Sequence, residues 1–141
     1  MPIRCEIASQ DRLVFSGDAD IVVVPGGAGV MGILPNHAPL LSTLQYGIIT
    51  VRYKGKENYF TVAGGIVEVQ PDQVTILADA AENVVEIDVE RAEAAKHRAE
   101  ELLRKVVPED TETYLAAQAA LRRSNLRLSA VRRYRTVHQD R

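Results

Sequence analysis

Over the first part of the chain, apolar and polar positions alternate in steps of two. Ile3, Cys5 and Ile7 are separated by Arg4 and Glu6, and further short apolar runs lie at Arg12 to Phe15, Ile21 to Val24, Ile48 to Tyr53, Tyr59 to Val62, Ile66 to Val69 and Val74 to Leu77. Alternation of this kind gives a ribbon one apolar face and predicts half-buried strands. Turn-forming residues punctuate the runs at Pro25-Gly26-Gly27, Lys54-Gly55-Lys56, Ala63-Gly64-Gly65 and Gln70-Pro71-Asp72. Short strands with no helical pattern between them predict an antiparallel sandwich or barrel and not a βαβ sheet.

After Asp88 the period lengthens to that of a helix and glycine disappears from the sequence. Asp88 is a good N-cap, and Ala92, Ala95, Ala99, Leu102 and Val106 recur in steps of three and four. Pro108 ends this helix, because it disfavours helical geometry at Val107. Asp110 caps a second helix with the seam Tyr114, Ala117, Leu121, Ser124, Leu128 and Val131. So short a connection predicts antiparallel neighbours. The expected architecture is therefore mainly β plus α, with a sandwich over residues 1–87 and a two-helix hairpin over 88–141. Small residues in both seams let the helices approach closely but bury little apolar surface, so the hairpin is expected to be marginal without a ligand or a partner.

Composition adds two constraints. The whole chain is nearly neutral, with 17 basic against 19 acidic residues, which removes any general attraction to nucleic acid or an anionic membrane. The charge is nonetheless uneven: Arg122, Arg123, Arg127, Arg132, Arg133 and Arg135 fall in a stretch from Thr113 to Arg135 that holds no acid. Cys5 is the only cysteine, so it forms no internal disulfide and fits a reducing compartment. No apolar run reaches the roughly 20 residues of a membrane-spanning helix, and the first residues lack a signal-peptide pattern. A cytoplasmic setting is expected.

Gly27-Ala28-Gly29-Val30-Met31-Gly32 spells the dinucleotide fingerprint GxGxxG after an apolar run. That fingerprint functions only where a helix begins and turns its amides to a pyrophosphate, and Pro35 and Pro39 follow too closely to allow one. The glycines are instead expected to form tight turns between strands. His37, His97 and His138 have no cysteine partner and no helical metal-ligand spacing, and the hydroxyls and carboxylates show no nucleophile or acid–base pairing. No catalytic residue and no metal site is assigned.

Two longer stretches carry a resemblance. Gly29-Val30-Met31-Gly32-Ile33-Leu34-Pro35-Asn36-His37-Ala38-Pro39-Leu40-Leu41 is similar to a loop of the epsilon subunits of bacterial F-type ATP synthases. Phe60-Thr61-Val62-Ala63-Gly64-Gly65-Ile66-Val67-Glu68-Val69-Gln70-Pro71, followed by Val74-Thr75-Ile76-Leu77-Ala78-Asp79, resembles the second signature of that family. The resemblance implies a flattened β-sandwich docked on the gamma subunit and the c-subunit ring, plus a mobile helical hairpin that regulates the complex. It places Met31, Gly32, Ile33 and His37 at the rotor interface. Partners would be gamma, the c ring, beta and alpha, with attachment to the cytoplasmic face of the cell membrane only through the complex.

Ile87-Asp88-Val89-Glu90-Arg91-Ala92 resembles the Ile-Asp-x-x-Arg-Ala signature of epsilon subunits that bind ATP in the folded hairpin. The resemblance makes Asp88, Arg91, Ala92, Arg123, Arg127 and Glu82 the candidate ATP contacts, with ATP a regulatory ligand and no cofactor required. Arginine suits a triphosphate, since its planar fork makes charge-assisted bonds to phosphate oxygens. In the extended hairpin the resemblance sets Arg122, Arg123, Arg127, Arg132, Arg133 and Arg135 against an acidic loop of the beta subunit as an inhibitory contact. The rival class is a nucleic-acid-binding module that uses the Arg-rich helix; against it, Tyr134 is the only aromatic between Arg122 and Arg135, and the sandwich is acidic.

Overall fold

The structure, a computed structural model, describes residues 1–135, which divide into a unit of Met1–Asn83 and a second unit that begins at Val84. The alternating runs of the first unit become eight strands: β1 (Ile3–Ala8), β2 (Leu13–Ala19), β3 (Ile21–Gly26), β4 (Gly29–Ile33), β5 (Leu40–Tyr53), β6 (Lys56–Val69), β7 (Gln73–Ala78) and β8 (Ala81–Asn83). They follow the order β2-β1-β7-β6-β5-β3-β4, with β8 beside β6. All pairings are antiparallel except β1 with β7. The parallel pair departs from the all-antiparallel expectation, and it arises because β7 fills the slot between β1 and β6.

β5 and β6 each serve two layers. Residues 40–44 of β5 pair with 65–69 of β6, whose other edge holds β7; residues 46–53 pair with 56–63, whose other edge holds β8. The pairing skips Gln45 and Gly64, and the ladder bends there. Ala63-Gly64-Gly65, expected to be a turn, is therefore a kink inside one long strand. Gly64 and Gly65 take φ of +90° and +135°, and a Cβ on Gly65 would stand 2.3 Å from the Leu77 carbonyl oxygen. Only glycine supplies that conformation at so close an approach. Lys54-Gly55 does form the expected two-residue hairpin turn, with positive φ at both positions.

Inward-facing residues of the two layers make one core: Ile3, Cys5, Ile7, Val67, Val74 and Ile76 from one, and Val22, Val24, Ile49, Val51, Phe60 and Val62 from the other. Phe15 and Phe60 meet with ring centroids 5.2 Å apart at a tilt of 58°. The GxGxxG stretch starts no helix: Gly27-Ala28 is a two-residue connection, and Gly29–Ile33 is β4, paired with β3. Glycines expected only to form turns here also lie within a strand, because Gly29 and Gly32 pair with Gly26 and Val23 of β3.

The second unit opens with a 3-10 turn (Val84–Glu86), followed by α1 (Val89–Lys105), α2 (Thr111–Ala130) and a π-helical turn (Val131–Arg135). Both expected caps form: the Asp88 carboxylate accepts from the Arg91 amide and the Asp110 carboxylate from the Thr113 amide, each at 3.1 Å. Bonds from Thr113 hold the Asp110 carboxyl below its ordinary range. α1 and α2 pack on each other through Ala92 and Ala99 on one side and Ala117 and Ser124 on the other. Ser124 satisfies its buried hydroxyl on the Ala120 carbonyl at 2.9 Å. The ends of the expected seam are looser, since Leu102 and Tyr114 are exposed.

Cys5 lies in the core, and burial pushes its thiol from an ordinary 9.0 up to about 12, with the charge of Glu6 adding to the shift and Arg4 opposing it. A folded pKa above the unfolded one means that this stabilisation is complete below the unfolded value of 9.0 and is lost as pH rises towards about 12. Urea unfolding should show the wild type losing stability across that window more steeply than Cys5→Ala, which has no thiol to ionise. Parallel curves would show that the thiol does not titrate in this way.

Candidate functional site

Two surfaces bring sequence-predicted residues together, one in each unit. In the first, the β3–β4 hairpin leads into the loop from Leu34 to Pro39. Asn36 takes a left-handed φ of 66°, and the His37 amide donates to the Leu34 carbonyl at 3.2 Å. The His37 Nδ1 lies 2.7 Å from the Ala38 carbonyl oxygen, a distance that calls for a proton on Nδ1. The Asn36 amide donates to Pro71 at 2.8 Å, and Leu40 and Leu41 pair with Val69 and Glu68. The two long motifs are thus neighbours in space. Gly32 is exposed and Met31 and His37 are half-buried, whereas Ile33 is wholly buried and belongs to the core.

A further apolar surface lies on the outer face of the layer that contains β1 and β7. Leu13 pairs with Ala8, Ala8 with Leu77, and Leu77 with Ile66, which forms a row across four strands. Leu13, Ile66 and Leu77 remain 58%, 42% and 51% exposed. Beside them Ser9, Gln10, Gly65 and Asp79 help to line an open groove of about 490 Å³. Sequence reasoning passed over this row. Its signal was present in consecutive apolar pairs such as Ile66-Val67 and Ile76-Leu77, because adjacent strand residues point to opposite faces and only one of each pair can reach the core.

In the second unit, Asp88, Arg91 and Ala92 occupy the first turn of α1, and Arg123 and Arg127 stand four apart on α2. Ala99 and Ala117 are equally far from Pro108 along the chain, and so are Ala92 and Ser124 farther out; all four are buried. This register carries the end of α2 to the start of α1. Direct contact agrees, since Arg135 donates to the carbonyls of Val84 and Ile87 at 2.7 and 2.6 Å. Arg91 and Arg123 are exposed, Arg127 is half-buried, and Ala92 is fully buried in the seam, where its small side chain sets the helix spacing. Asp88 directs a carboxylate oxygen to the Arg91 amide and so acts as a cap. Glu82 belongs to β8 in the first unit, where its carbonyl accepts from the Thr61 hydroxyl at 3.4 Å. Arg122, Arg132 and Arg133 are exposed, the last over the Tyr134 ring at 5.3 Å. Among the described residues, no His, Cys, Asp and Glu group is placed to hold a metal, and no helix is long and apolar enough to cross a membrane.

Residues 2–84 match the family profile of the ATP synthase, Delta/Epsilon chain, beta-sandwich domain, and residues 86–132 match that of its long alpha-helix domain. The chain belongs to the ATP synthase delta/epsilon chain family. Among its relatives, the ATP synthase epsilon chain of Acidithiobacillus ferridurans is 44% identical over 135 residues, covering 96% of this chain and 94% of its own. That of Pelotomaculum thermopropionicum is 51% identical over 102 residues, covering 72% and 76%. Within a structure of the Euglena gracilis mitochondrial ATP synthase (OSCP/F1/c-ring), one chain shares the fold with a TM-score of 0.76 at 23% identity, covering 92% of this chain and 81% of that one. Members of this family are stalk subunits and not catalytic ones. The two profiles meet close to the division between the two units.

The apolar row should matter for assembly more than for folding, because its side chains stand outside the core. Replacing Ile66 and Leu77 together with serine should leave the thermal unfolding of the isolated first unit's strands little changed. It should weaken retention of the chain in the purified ATP synthase at least about tenfold, since burying each such side chain is worth roughly 1.5–3 kcal/mol. Undiminished retention of the double variant would remove the row from the interface.

Proposed function

We propose that the chain is a rotor-stalk subunit that transmits proton-driven rotation of the c ring to the catalytic head and restrains ATP hydrolysis through its helical hairpin. The first unit docks on gamma and the c ring, using the loop around Met31, Gly32 and His37 together with the row of Leu13, Ile66 and Leu77. Attachment to the cytoplasmic face of the membrane comes through these partners. The second unit is the regulator, closed by ATP and opened towards beta and alpha.

The observation that carries the regulatory part is that the first turn of α1 and the Arg-rich end of α2 lie at one end of the hairpin. A triphosphate at that end would meet Arg91, Arg123 and Arg127 together, and the α1 N-terminus adds its partial positive charge. An extended hairpin separates these groups. ATP therefore favours the closed form by its difference in affinity for the two states. Asp88 contributes by holding the α1 terminus in shape.

Calorimetric titration of the isolated chain with ATP tests the site. Arg91→Ala and Arg123→Ala should each weaken binding about tenfold, the loss of one charge-assisted bond to phosphate. If both variants bind as the parent does, ATP lies elsewhere or the hairpin takes none.

The brake is tested in the reconstituted complex. Arg122, Arg123, Arg127, Arg132 and Arg133 would face an acidic loop of beta when the hairpin extends, and since an exposed pair contributes only about 0–1 kcal/mol, several must act together. Truncation before Thr111 should raise ATP hydrolysis several-fold and leave proton coupling intact, because the docking unit is untouched. Equal hydrolysis rates with and without α2, at low and at high ATP, would leave the helix no inhibitory role.

A further inference from the structure

Arg135 stands apart from the other arginines of its segment. It ends the π-helical turn that follows α2, and a single guanidinium nitrogen, Nη2, donates both of its protons, to the carbonyls of Val84 at 2.7 Å and Ile87 at 2.6 Å. Val84 and Ile87 are themselves buried. Their carbonyls precede the Asp88 cap and so lie outside the α1 hydrogen-bond ladder; the Val84 carbonyl also accepts the 3.3 Å bond from the Ile87 amide that closes the 3-10 turn. The π turn widens the last coil of the helix and changes the direction in which Arg135 leaves it. The bond spans nearly the whole second unit in sequence, from its first residue to the end of its described part.

We infer that Arg135 is the latch of the closed hairpin, fastening the end of α2 to the Val84–Ile87 turn. The fully buried residues of α1 and α2 are alanines and a serine, with leucines such as Leu103 and Leu121 only half-buried, so their packing alone holds the hairpin weakly. Two charge-assisted bonds at the open end add directly to that hold. Both must break before α2 swings away from α1. The latch is also incomplete: the Arg135 Nε is buried with no partner among the described residues, a cost that keeps closure reversible.

The consequence for regulation rests on the function proposed above, in which opening brings inhibition. Loss of Arg135 then strengthens the brake, the opposite of what loss of the neighbouring arginines does.

The first arm of the test is hydrogen exchange on the isolated full chain. In Arg135→Ala, amides of Ile87 and of the last turn of α2 should exchange about tenfold faster, with Arg135→Lys intermediate and the first unit unchanged. Exchange within about twofold of wild type at these amides overturns the latch. Loss of protection shared by the strands of the first unit overturns it too, since the effect would then be general unfolding. The second arm is ATP hydrolysis by the reconstituted complex, where Arg135→Ala should lower the rate. Faster exchange with a raised or unchanged hydrolysis rate leaves the latch standing and defeats the reading of the open hairpin as the brake.

Discussion

β5 and β6 are longer than most strands in globular proteins, 14 residues each, and the first unit depends on bending them as a pair. A straight pair would belong to one flat sheet. Because the ladder is interrupted at Gln45 and Gly64, with the same register on either side, the two halves of the pair lie in different layers, and the remaining strands add to whichever half offers an edge. The core is what the bend encloses. Gly65 is where the constraint is tightest, since any side chain there would run into the backbone of β7. The groove between Gly65, Leu77 and Asp79 opens beside the same kink on the outer face, so one backbone feature shapes both the core and the exposed apolar row.

The second unit is held by different physics. Its interface is built from residues that contribute little apolar area, and its ends are fixed by polar contacts: Asp88 and Asp110 on their helix N-termini and Arg135 on the Val84 and Ile87 carbonyls. Contacts of this kind exchange for water at small net free energy. On the function proposed above, such a unit has one closed form and leaves it when a partner binds the alternative. The first unit, with a core of branched aliphatic and aromatic side chains from two layers, has no comparable freedom.

Much of this was legible in the sequence because the physics was local. Period two and period 3.6 separated the units, and Asp88, Asp110 and Pro108 marked the helix ends to within a residue or two. What escaped was set by distant parts of the chain. Ala63-Gly64-Gly65 has the composition of a turn, and only the close approach of Leu77 and Ala78 makes it a kink. β4 is visible only once β3 is beside it, and the parallel pairing of β1 with β7 is a property of the whole strand order. At the candidate site, the signature residues were found by resemblance. The engagement of Arg135 was not, because sequence presents six arginines as equivalent and only the fold gives one of them two carbonyls to hold.

Charge of one sign need not act in one direction. Arginines with exposed side chains, such as Arg122, Arg123, Arg132 and Arg133, can reach an acidic partner, and such a pairing is favourable only where its charge-assisted bonds offset the loss of hydration. An arginine already bonded to two main-chain carbonyls must give up those bonds to join such a partner. An Arg-rich helix can therefore contain both what draws it towards a partner and what keeps it at home, and the balance shifts with whatever else binds at the same end. On the function proposed above, ATP would add to the side of closure only where it leaves the Val84 and Ile87 carbonyls to Arg135. Phosphate oxygens accept as those carbonyls do and would compete with them for the Arg135 protons, so closure requires other arginines to serve the phosphates. Arg123 and Arg127 lie on α2 a turn or more before Arg135, and on that reading they serve the phosphates while Arg135 stays on the main chain.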